Sequence, residues 1–131
     1  MREKIESFRD LLIWQQSIEL VTETYSLTRS WPKEELFGLT SQARRASVSI
    51  PANIAEGYGR ESRASYLNFL RIAQGSLKEV ETLLEVAVRV GIESEPRIRP
   101  LVNKCESVGK LLKLLIRKLS ENRHPAKADV D

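Results

Sequence analysis

The stretch 62–90 carries the pattern that most constrains the fold. Its apolar positions recur at alternating spacings of three and four residues without a slip until Gly91, which places them on one face of an α-helix. A second apolar row widens this face, as a helix packed against two neighbours requires. The stretch therefore predicts a central helix, 62–90, with Ser62 as its N-cap. The main row is Tyr66, Phe69, Ala73, Ser76, Val80, Leu83, Ala87 and Val90, and the second is Leu70, Leu77 and Leu84.

Three further segments show the same spacing. They predict a first helix over about 10–29, a second over about 35–58 and a fourth over about 95–121. Pro32 separates the first two, because a proline disfavours the helical conformation of the residue before it. Pro51 lies inside the second pattern, where we expect a bend without a helix end. The rows are Leu11, Trp14, Ile18, Val21 and Tyr25; Leu36, Leu39, Ala43, Ala46, Ile50 and Ile54; and Ile98, Leu101, Cys105, Val108, Leu112, Leu115 and Leu119.

Four amphipathic helices with short connections predict an all-α fold, an antiparallel up-down four-helix bundle of left-handed twist. We expect one domain, 1–131, and a mobile polar tail, 122–131. Some apolar positions exceed what one such bundle covers, which predicts a homo-oligomer. These positions are Ile13, Leu20, Leu27 and Tyr58.

Composition and charge indicate the cellular compartment of the protein and the kinds of partner it can have. Cys105 is the only cysteine, so no internal disulfide forms, and the start of the chain is charged rather than apolar. Both features predict a reducing, cytoplasmic compartment. No apolar run approaches the roughly 18 residues of a membrane span, so we expect no membrane association. The net charge of +3 is too small to predict nucleic-acid binding by itself, and the distribution of charge matters more.

A row of polar residues runs along the second predicted helix. Gln42, Ser49 and Glu56 are spaced by seven, and Asn53 lies on the apolar seam. Burying unpaired amide or carboxyl groups costs several kcal/mol, so these groups need partners. We expect a structural hydrogen-bond network that also includes Ser76 on the third helix. The alternative is that Asn53 and Glu56 line a recognition surface.

Two sets of basic residues are candidates for binding phosphate, because neutralised phosphates release counterions. For the set on the second and third helices, nucleic-acid binding and a solvated surface stay equally open. For the set on the fourth helix a solvated surface is favoured. The first set is Arg44, Arg45, Arg60, Arg63 and Arg71, and the second is Lys104, Lys110, Lys113, Arg117, Lys118 and Arg123.

Catalytic and metal-binding patterns are not supported by the sequence. The single histidine, His124, excludes a di-iron bundle and a zincin motif, and Cys105 has no partner at metal-ligand spacing. We therefore expect no metal, no cofactor, no small-molecule substrate and no enzymatic activity. One weaker alternative survives, since Arg117 and His124 have a spacing similar to the arginine–histidine motif of HEPN ribonucleases. No helix-turn-helix, zinc-finger or aromatic RNA-binding motif is present, so any nucleic-acid binding should lack sequence specificity.

Three segments carry a resemblance to a known family. Residues 42–57 read QARRASVSIPANIAEG, residues 37–39 read FGL, and residues 75–82 read GSLKEVET. These motifs resemble the bacterial four-helix-bundle proteins encoded in intervening sequences of 23S rRNA genes, the S23 family. The NIAEG segment, 53–57, is the most specific of the motifs, and the resemblance extends over all four predicted helices.

The resemblance implies an up-down bundle that forms a homo-oligomer, pentameric in characterised relatives. A distant relative is the accessory protein of diversity-generating retroelements, a basic pentamer that binds nucleic acid and a reverse transcriptase. The implied function is a non-enzymatic oligomeric protein that binds RNA or a nucleoprotein partner. The alternative is a structural protein–protein interaction module without nucleic acid.

Overall fold

The computed structural model describes residues 4–121, and within them the chain is helical without any strand. The four long helices are α1 (Leu12–Thr28), α2 (Leu39–Tyr58), α3 (Arg63–Arg89) and α4 (Glu95–Glu121). Short 3₁₀ helices precede α1 at Phe8–Asp10 and α2 at Lys33–Glu35. The all-α class and the four helices are confirmed.

Local capping groups set where the helices begin. Ser7 and Asp10 form a capping box around the first 3₁₀ helix, which delays α1 relative to the predicted start. The Glu35 carboxylate accepts from the Leu39 amide at 3.0 Å, so α2 begins at Leu39 instead of near residue 35. Ser62 caps α3 as expected, its hydroxyl accepting from the Ser65 amide at 3.0 Å.

The buried face of α1 differs from the predicted one. Leu20 and Thr24 are fully buried, whereas Tyr25, at the end of the predicted row, is exposed. Threonine fits this face because its hydroxyl donates back to its own helix, from Thr24 to the carbonyl of Leu20 at 2.8 Å. The buried residues of α1 are Ile13, Ser17, Leu20, Thr24, Leu27 and Thr28.

This result corrects the sequence argument for an oligomer. Ile13, Leu20 and Leu27 were expected to lie outside the core of one chain, and all three are buried within it. Tyr58 is half-buried, with its ring edge against the ring of Tyr66. The expectation failed because the true core stripe of α1 includes hydroxyl residues, which the apolar pattern does not count.

The core rows of the other helices lie close to their predicted positions. On α3 the second row, Leu70, Leu77 and Leu84, is the more deeply buried, and Val90 at the helix end is 62% exposed. On α2 the predicted row is buried except at its start, where Leu36 is exposed and Leu39 half-buried. The predicted row of α4 is buried from Ile98 to Leu112 and half-buried at Leu115 and Leu119.

The helices contact one another in a closed ring, α1 with α2, α2 with α3, α3 with α4 and α4 with α1. Ser49 of α2 meets Ser76 of α3, and Gly57 of α2 meets Phe69 of α3. These pairs run in opposite sequence order, as the predicted antiparallel arrangement requires of α2 and α3. The antiparallel order of the whole bundle, its left-handed twist and the bend at Pro51 stay predictions.

Candidate nucleic-acid interface

The first two predicted arginines lie on opposite sides of α2. Arg44 points toward α1, where its guanidinium lies 4.6 Å from the ring centroid of Tyr25 and its Nε donates to Thr28 Oγ1 at 2.9 Å. Arg45 borders a shallow groove between α2 and α3, with Glu79 on the other side of that groove. Adjacent residues diverge by about 100° on a helix, so Arg44 and Arg45 do not share a surface.

The other three arginines lie toward the start of α3. Arg60 pairs with Glu56 at 2.9 Å and lies 4.8 Å from the ring centroid of Phe69. Arg63 is half-buried in the first turn of α3, and Arg71 is exposed two turns further on. The structure therefore spreads the predicted arginine group over several sides of the bundle instead of gathering it into one cluster.

The predicted polar row divides into two parts. Ser49 and Ser76 share a hydrogen bond of 2.8 Å between α2 and α3, and the Asn53 amide donates to the carbonyl and hydroxyl of Ser49 at 2.8 and 3.0 Å. Gln42 and Glu56 are exposed and make none of these hydrogen bonds. Three of the five predicted residues thus satisfy one another at the α2–α3 contact, and the arrangement is structural.

Near the end of α2, Gly57 allows α2 and α3 to approach each other closely, because it has no side chain. A Cβ at Gly57 would lie 2.8 Å from the Cβ of Phe69 and 3.0 Å from a ring carbon of Tyr66. Burial, with a smaller contribution from Tyr58, raises the pKa of Tyr66 to about 12. The phenol stays neutral at physiological pH, and this contact leaves no room for a ligand.

On the other side of α3, a groove of about 290 Å³ separates α3 from α4. Its floor contains Cys105 and Gly109, and its rim carries Lys78, Lys110 and Lys113 together with Glu81 and Glu106. Burial raises the pKa of the Cys105 thiol to about 12, and nearby carboxylates, that of Glu81 first, add to the effect. The thiol is therefore protonated, and the groove presents three ammonium and two carboxylate groups.

Beyond Glu81 and Glu106 of the groove, two neighbouring stretches of α3 and α4 carry only positive charge. Residues 62–78 of α3 and residues 107–120 of α4 contain no aspartate or glutamate. α3 and α4 are joined by a short connection, and further along Leu77 lies 3.3 Å from the point where a Cβ of Gly109 would stand. The two acid-free stretches therefore lie side by side. Their basic residues, here called the α3–α4 basic surface, are Arg63, Arg71, Lys78, Lys110, Lys113, Arg117 and Lys118.

Most of these cations have no carboxylate partner. Within residues 4–121, no aspartate or glutamate lies within 4.0 Å of Arg71, Lys110, Lys113 or Arg117, whereas Lys78 pairs with Glu81 at 3.1 Å. Other cations of α4 are engaged: Lys104, for example, bonds Gln16 and Glu19 on α1. Sequence reasoning missed this surface because it treated Arg71 and the fourth helix separately. The gap in acidic residues was the signal available.

A second polar cluster closes the opposite end of the bundle. The side chain of Glu93 is 4% exposed and accepts from Trp31 Nε1 and from Arg97 Nε, each at 2.9 Å. Burial favours a higher pKa for Glu93, but hydrogen bonds from Trp31, Ser94 and Arg97 outweigh it and hold the pKa below its ordinary value. The sequence did not predict this cluster, whose role is to join the two loops at that end.

Metal binding, membrane insertion and the HEPN alternative can be compared with the described residues in turn. Among residues 4–121 no cluster of His, Cys, Asp and Glu suits a metal ion, and no helix there is long and apolar enough to cross a membrane. His124 lies outside the described residues, as do Arg123 and the tail 122–131. The HEPN alternative therefore has only Arg117, on α4, in the described part of the chain.

Comparison with known proteins now gives the family. The model of the family described as 23S rRNA-intervening sequence protein matches residues 9–114. The chain belongs to this family. A crystal structure of a protein of unknown function from the S23 ribosomal protein family of Bacteroides thetaiotaomicron is similar to it, with 27% identity and a TM-score of 0.72. The match covers 80% of this chain and 98% of that one. No curated protein matches the chain.

Family membership confirms the resemblance drawn from the NIAEG and neighbouring motifs. The matched range, 9–114, spans α1, α2, α3 and most of α4, and the similar crystal structure shares the fold over nearly its whole length. That protein is of unknown function, so the comparisons add a family without adding an activity.

Proposed function

We propose that this family member is a non-enzymatic RNA-binding protein whose α3–α4 basic surface contacts the RNA backbone. The observation that carries the proposal is the pairing of two acid-free stretches, 62–78 and 107–120, which are far apart in sequence and adjacent in the fold. Their charges add at one surface although the whole chain carries only +3. Such a local excess of cations attracts polyanions even when the net charge is small.

The geometry of the cations supports phosphate binding over internal ion pairing. Lys110, Lys113 and Arg117 recur at spacings of three and four on α4, so they share one outward stripe. Each is exposed, and among the described residues no carboxylate lies within 4.0 Å of any of the three, so each is available to a phosphate. Lysine and arginine in this position supply charge and hydrogen-bond donors without base specificity.

The family description supports RNA as the polyanion. It places the family with intervening sequences of 23S rRNA, and a product of such a gene region meets ribosomal RNA in the cytoplasm, where we propose that the protein resides. Of the arginines predicted from sequence, Arg63 and Arg71 belong to the proposed surface. Arg44, Arg45 and Arg60 do not, because each faces another side of the bundle or an internal partner.

The test is binding of a labelled 23S rRNA fragment by fluorescence anisotropy over a series of salt concentrations. We expect the triple variant Lys110→Gln, Lys113→Gln, Arg117→Gln to bind at least about tenfold more weakly at low salt. The slope of log affinity against log salt should fall by about two to three, because each lost phosphate contact contributes roughly 0.7 on a single strand and roughly 0.9 on a double helix.

A matched control removes the same net charge elsewhere. The variant Lys33→Gln, Arg89→Gln, Arg99→Gln changes exposed cations, two of which pair with Glu85 and Glu95. It should bind almost as tightly as the parent protein. Equal losses in both triple variants would show a response to net charge alone and would refute the proposed surface. Arg45→Gln tests the surface predicted from sequence, and we expect little change.

One observation favours a second function, contact with another protein. Phe37 is 92% exposed and Leu36 is 47% exposed in the turn that leads into α2, and exposed large apolar groups are typical of protein contacts. Val86 and Val90 near the end of α3 are also exposed. We propose that the protein is a homo-oligomer; five subunits is the number that the resemblance implies.

Light scattering at several protein concentrations measures the mass of the particle in solution, and so the number of subunits. A mass several times that of the 14.9 kDa chain supports the homo-oligomer, and a monomer at all concentrations refutes it. If the oligomer forms and RNA does not bind, the structural interaction module without nucleic acid becomes the function.

A further inference from the structure

Two rows of cations lie on neighbouring faces of α3 and α4. Arg71 and Lys78 are seven residues apart on α3, and Lys110 and Arg117 are seven apart on α4. Lys78 and Lys110 line the groove, which also contains Glu81 and Glu106, and the other two cations lie further along the same faces. At 1.5 Å of rise per residue each row is about 10 Å long. The axes of packed helices are about 8–10 Å apart, so the four cations stand near the corners of a square rather than along one line.

A square of cations suits two strands of phosphates better than one. A single strand presents one line of phosphates, which could follow only one of the two rows. The minor groove of A-form RNA is wide and shallow, with a phosphate strand along each border and 2′-hydroxyls between them. The α3 row and the α4 row can then contact different strands of the same duplex.

The groove also lacks what single-stranded RNA requires. Proteins that bind single strands stack bases on aromatic side chains, which contribute about 1–3 kcal/mol per base. All eight aromatic residues of the chain lie within the described part, and none of them lines the groove. The eight are Phe8, Trp14, Tyr25, Trp31, Phe37, Tyr58, Tyr66 and Phe69.

Most of these aromatic rings are already engaged elsewhere. Phe8 packs against Trp14, Tyr58 against Tyr66, and Trp31 is buried. Phe37 alone is fully open to solvent, and it lies in the turn before α2 and not at the α3–α4 groove. The basic surface can therefore offer charge and hydrogen bonds without a stacking platform.

We infer that the α3–α4 basic surface binds double-helical RNA, an inference that rests on the proposed RNA-binding function and specifies its substrate. The α3 row contacts one phosphate strand and the α4 row contacts the other. Recognition depends on the shape of the duplex and on the 2′-hydroxyls between the strands, with no readout of base sequence.

The experiment compares three labelled probes with equal numbers of phosphates, again by anisotropy with the full chain. They are an RNA hairpin with a stem of about 16 base pairs, an unpaired RNA of the same length and composition, and a DNA hairpin of the same sequence. The RNA hairpin should bind at least about tenfold more tightly than the unpaired RNA, which lacks aromatic partners here. It should also bind more tightly than the DNA hairpin.

Each other outcome has a definite meaning. Unpaired RNA that binds as tightly as the hairpin overturns the inference and leaves the proposed RNA-binding function intact. A DNA hairpin that binds as tightly as the RNA hairpin overturns the choice of RNA duplex. Failure of all three probes to bind refutes the proposed function itself.

Paired variants test the two-row geometry. Arg71→Gln with Lys78→Gln removes the α3 row, and Lys110→Gln with Arg117→Gln removes the α4 row. Each pair should weaken hairpin binding severalfold, and all four changes together should weaken it more than either pair. A loss confined to one row overturns the two-strand arrangement. Arg89→Gln with Arg99→Gln is the matched control, and circular dichroism shows that each variant is folded.

Discussion

α3 packs against α2 and α4 in two different ways, and the difference separates structure from function. Toward α2 the contacts are short and mutual: Ser49 bonds Ser76, and Gly57 lies against Phe69. Toward α4 a groove remains, with Gly109 on its floor and, on its rim, Lys110 and Lys113, which have no carboxylate within 4.0 Å among the described residues. Polar groups that satisfy one another stabilise a fold, whereas unpartnered charges beside a groove are available to a ligand. The predictions below test this contrast.

The largest effect is expected where α2 and α3 approach most closely. In Gly57→Val the new side chain meets Phe69 and Tyr66 at less than van der Waals distance, and we expect the free energy of unfolding to fall by about 3 kcal/mol. Urea denaturation followed by circular dichroism, at fixed protein concentration, measures it. Gly75→Ala is the control. A Cβ at position 75 would meet no other part of the protein within 4 Å, so this substitution should stabilise α3 by up to about 1 kcal/mol. A Gly57→Val protein as stable as the parent would contradict the close contact.

The floor of the α3–α4 groove should be closed to reagents although its rim is open. Cys105 is fully buried and burial raises its pKa to about 12, and only the thiolate attacks a disulfide reagent. At pH 8 we expect its reaction with Ellman's reagent to be more than about a hundredfold slower in the folded protein than in urea. Rapid reaction of the folded protein would show that α3 and α4 separate readily, and the groove would then be a mobile gap.

A smaller effect is expected for the hydrogen bond between α2 and α3. Ser76→Ala leaves the Ser49 hydroxyl without its partner across the contact, and we expect a loss of about 1 kcal/mol in unfolding free energy. Lys78→Ala, on the α4 side of the same helix, removes only a surface ion pair with Glu81 and should change stability by less than about 0.5 kcal/mol. Equal losses in the two variants would remove the contrast between the two sides of α3.

The smallest effect is expected at Gly109, the counterpart of Gly57 on the other side of α3. A Cβ at Gly109 would lie 3.3 Å from a methyl carbon of Leu77, which can rotate away, and alanine is the better helix former. We expect Gly109→Ala to change the unfolding free energy by less than about 0.5 kcal/mol. A loss as large as that of Gly57→Val would show that α3 and α4 pack as closely as α2 and α3.

The fold could be predicted from the sequence because three-four spacing is a local property. Each of the four helices was recognised from its own residues, and α4 runs over the predicted range. The face of α1 was wrong because Ser17, Thr24 and Thr28 are buried; hydroxyl groups enter a core when their own helix supplies an acceptor. A pattern of apolar residues does not show which hydroxyl groups will bond to their own helix and become buried.

The candidate site was less accessible to sequence reasoning. The residues of the polar row were named, but only the structure shows that Asn53 bonds Ser49 while Gln42 stays in solvent. The predicted arginine group divides because neighbouring residues on a helix point in different directions. Arg71 joins Lys110 and Arg117 only through the packing of α3 on α4, which brings together residues about 40 positions apart.

By itself, the sequence determined the number of helices, the ranges of α3 and α4 to within a residue, and the family. These depend on periodicity, caps and motifs within single segments. The tertiary structure decided which polar groups are paired and which cations stand together, as in the bond from Trp31 to Glu93 across 62 residues. Pairing between segments depends on how the helices are rotated and offset against one another, and no single segment contains that information.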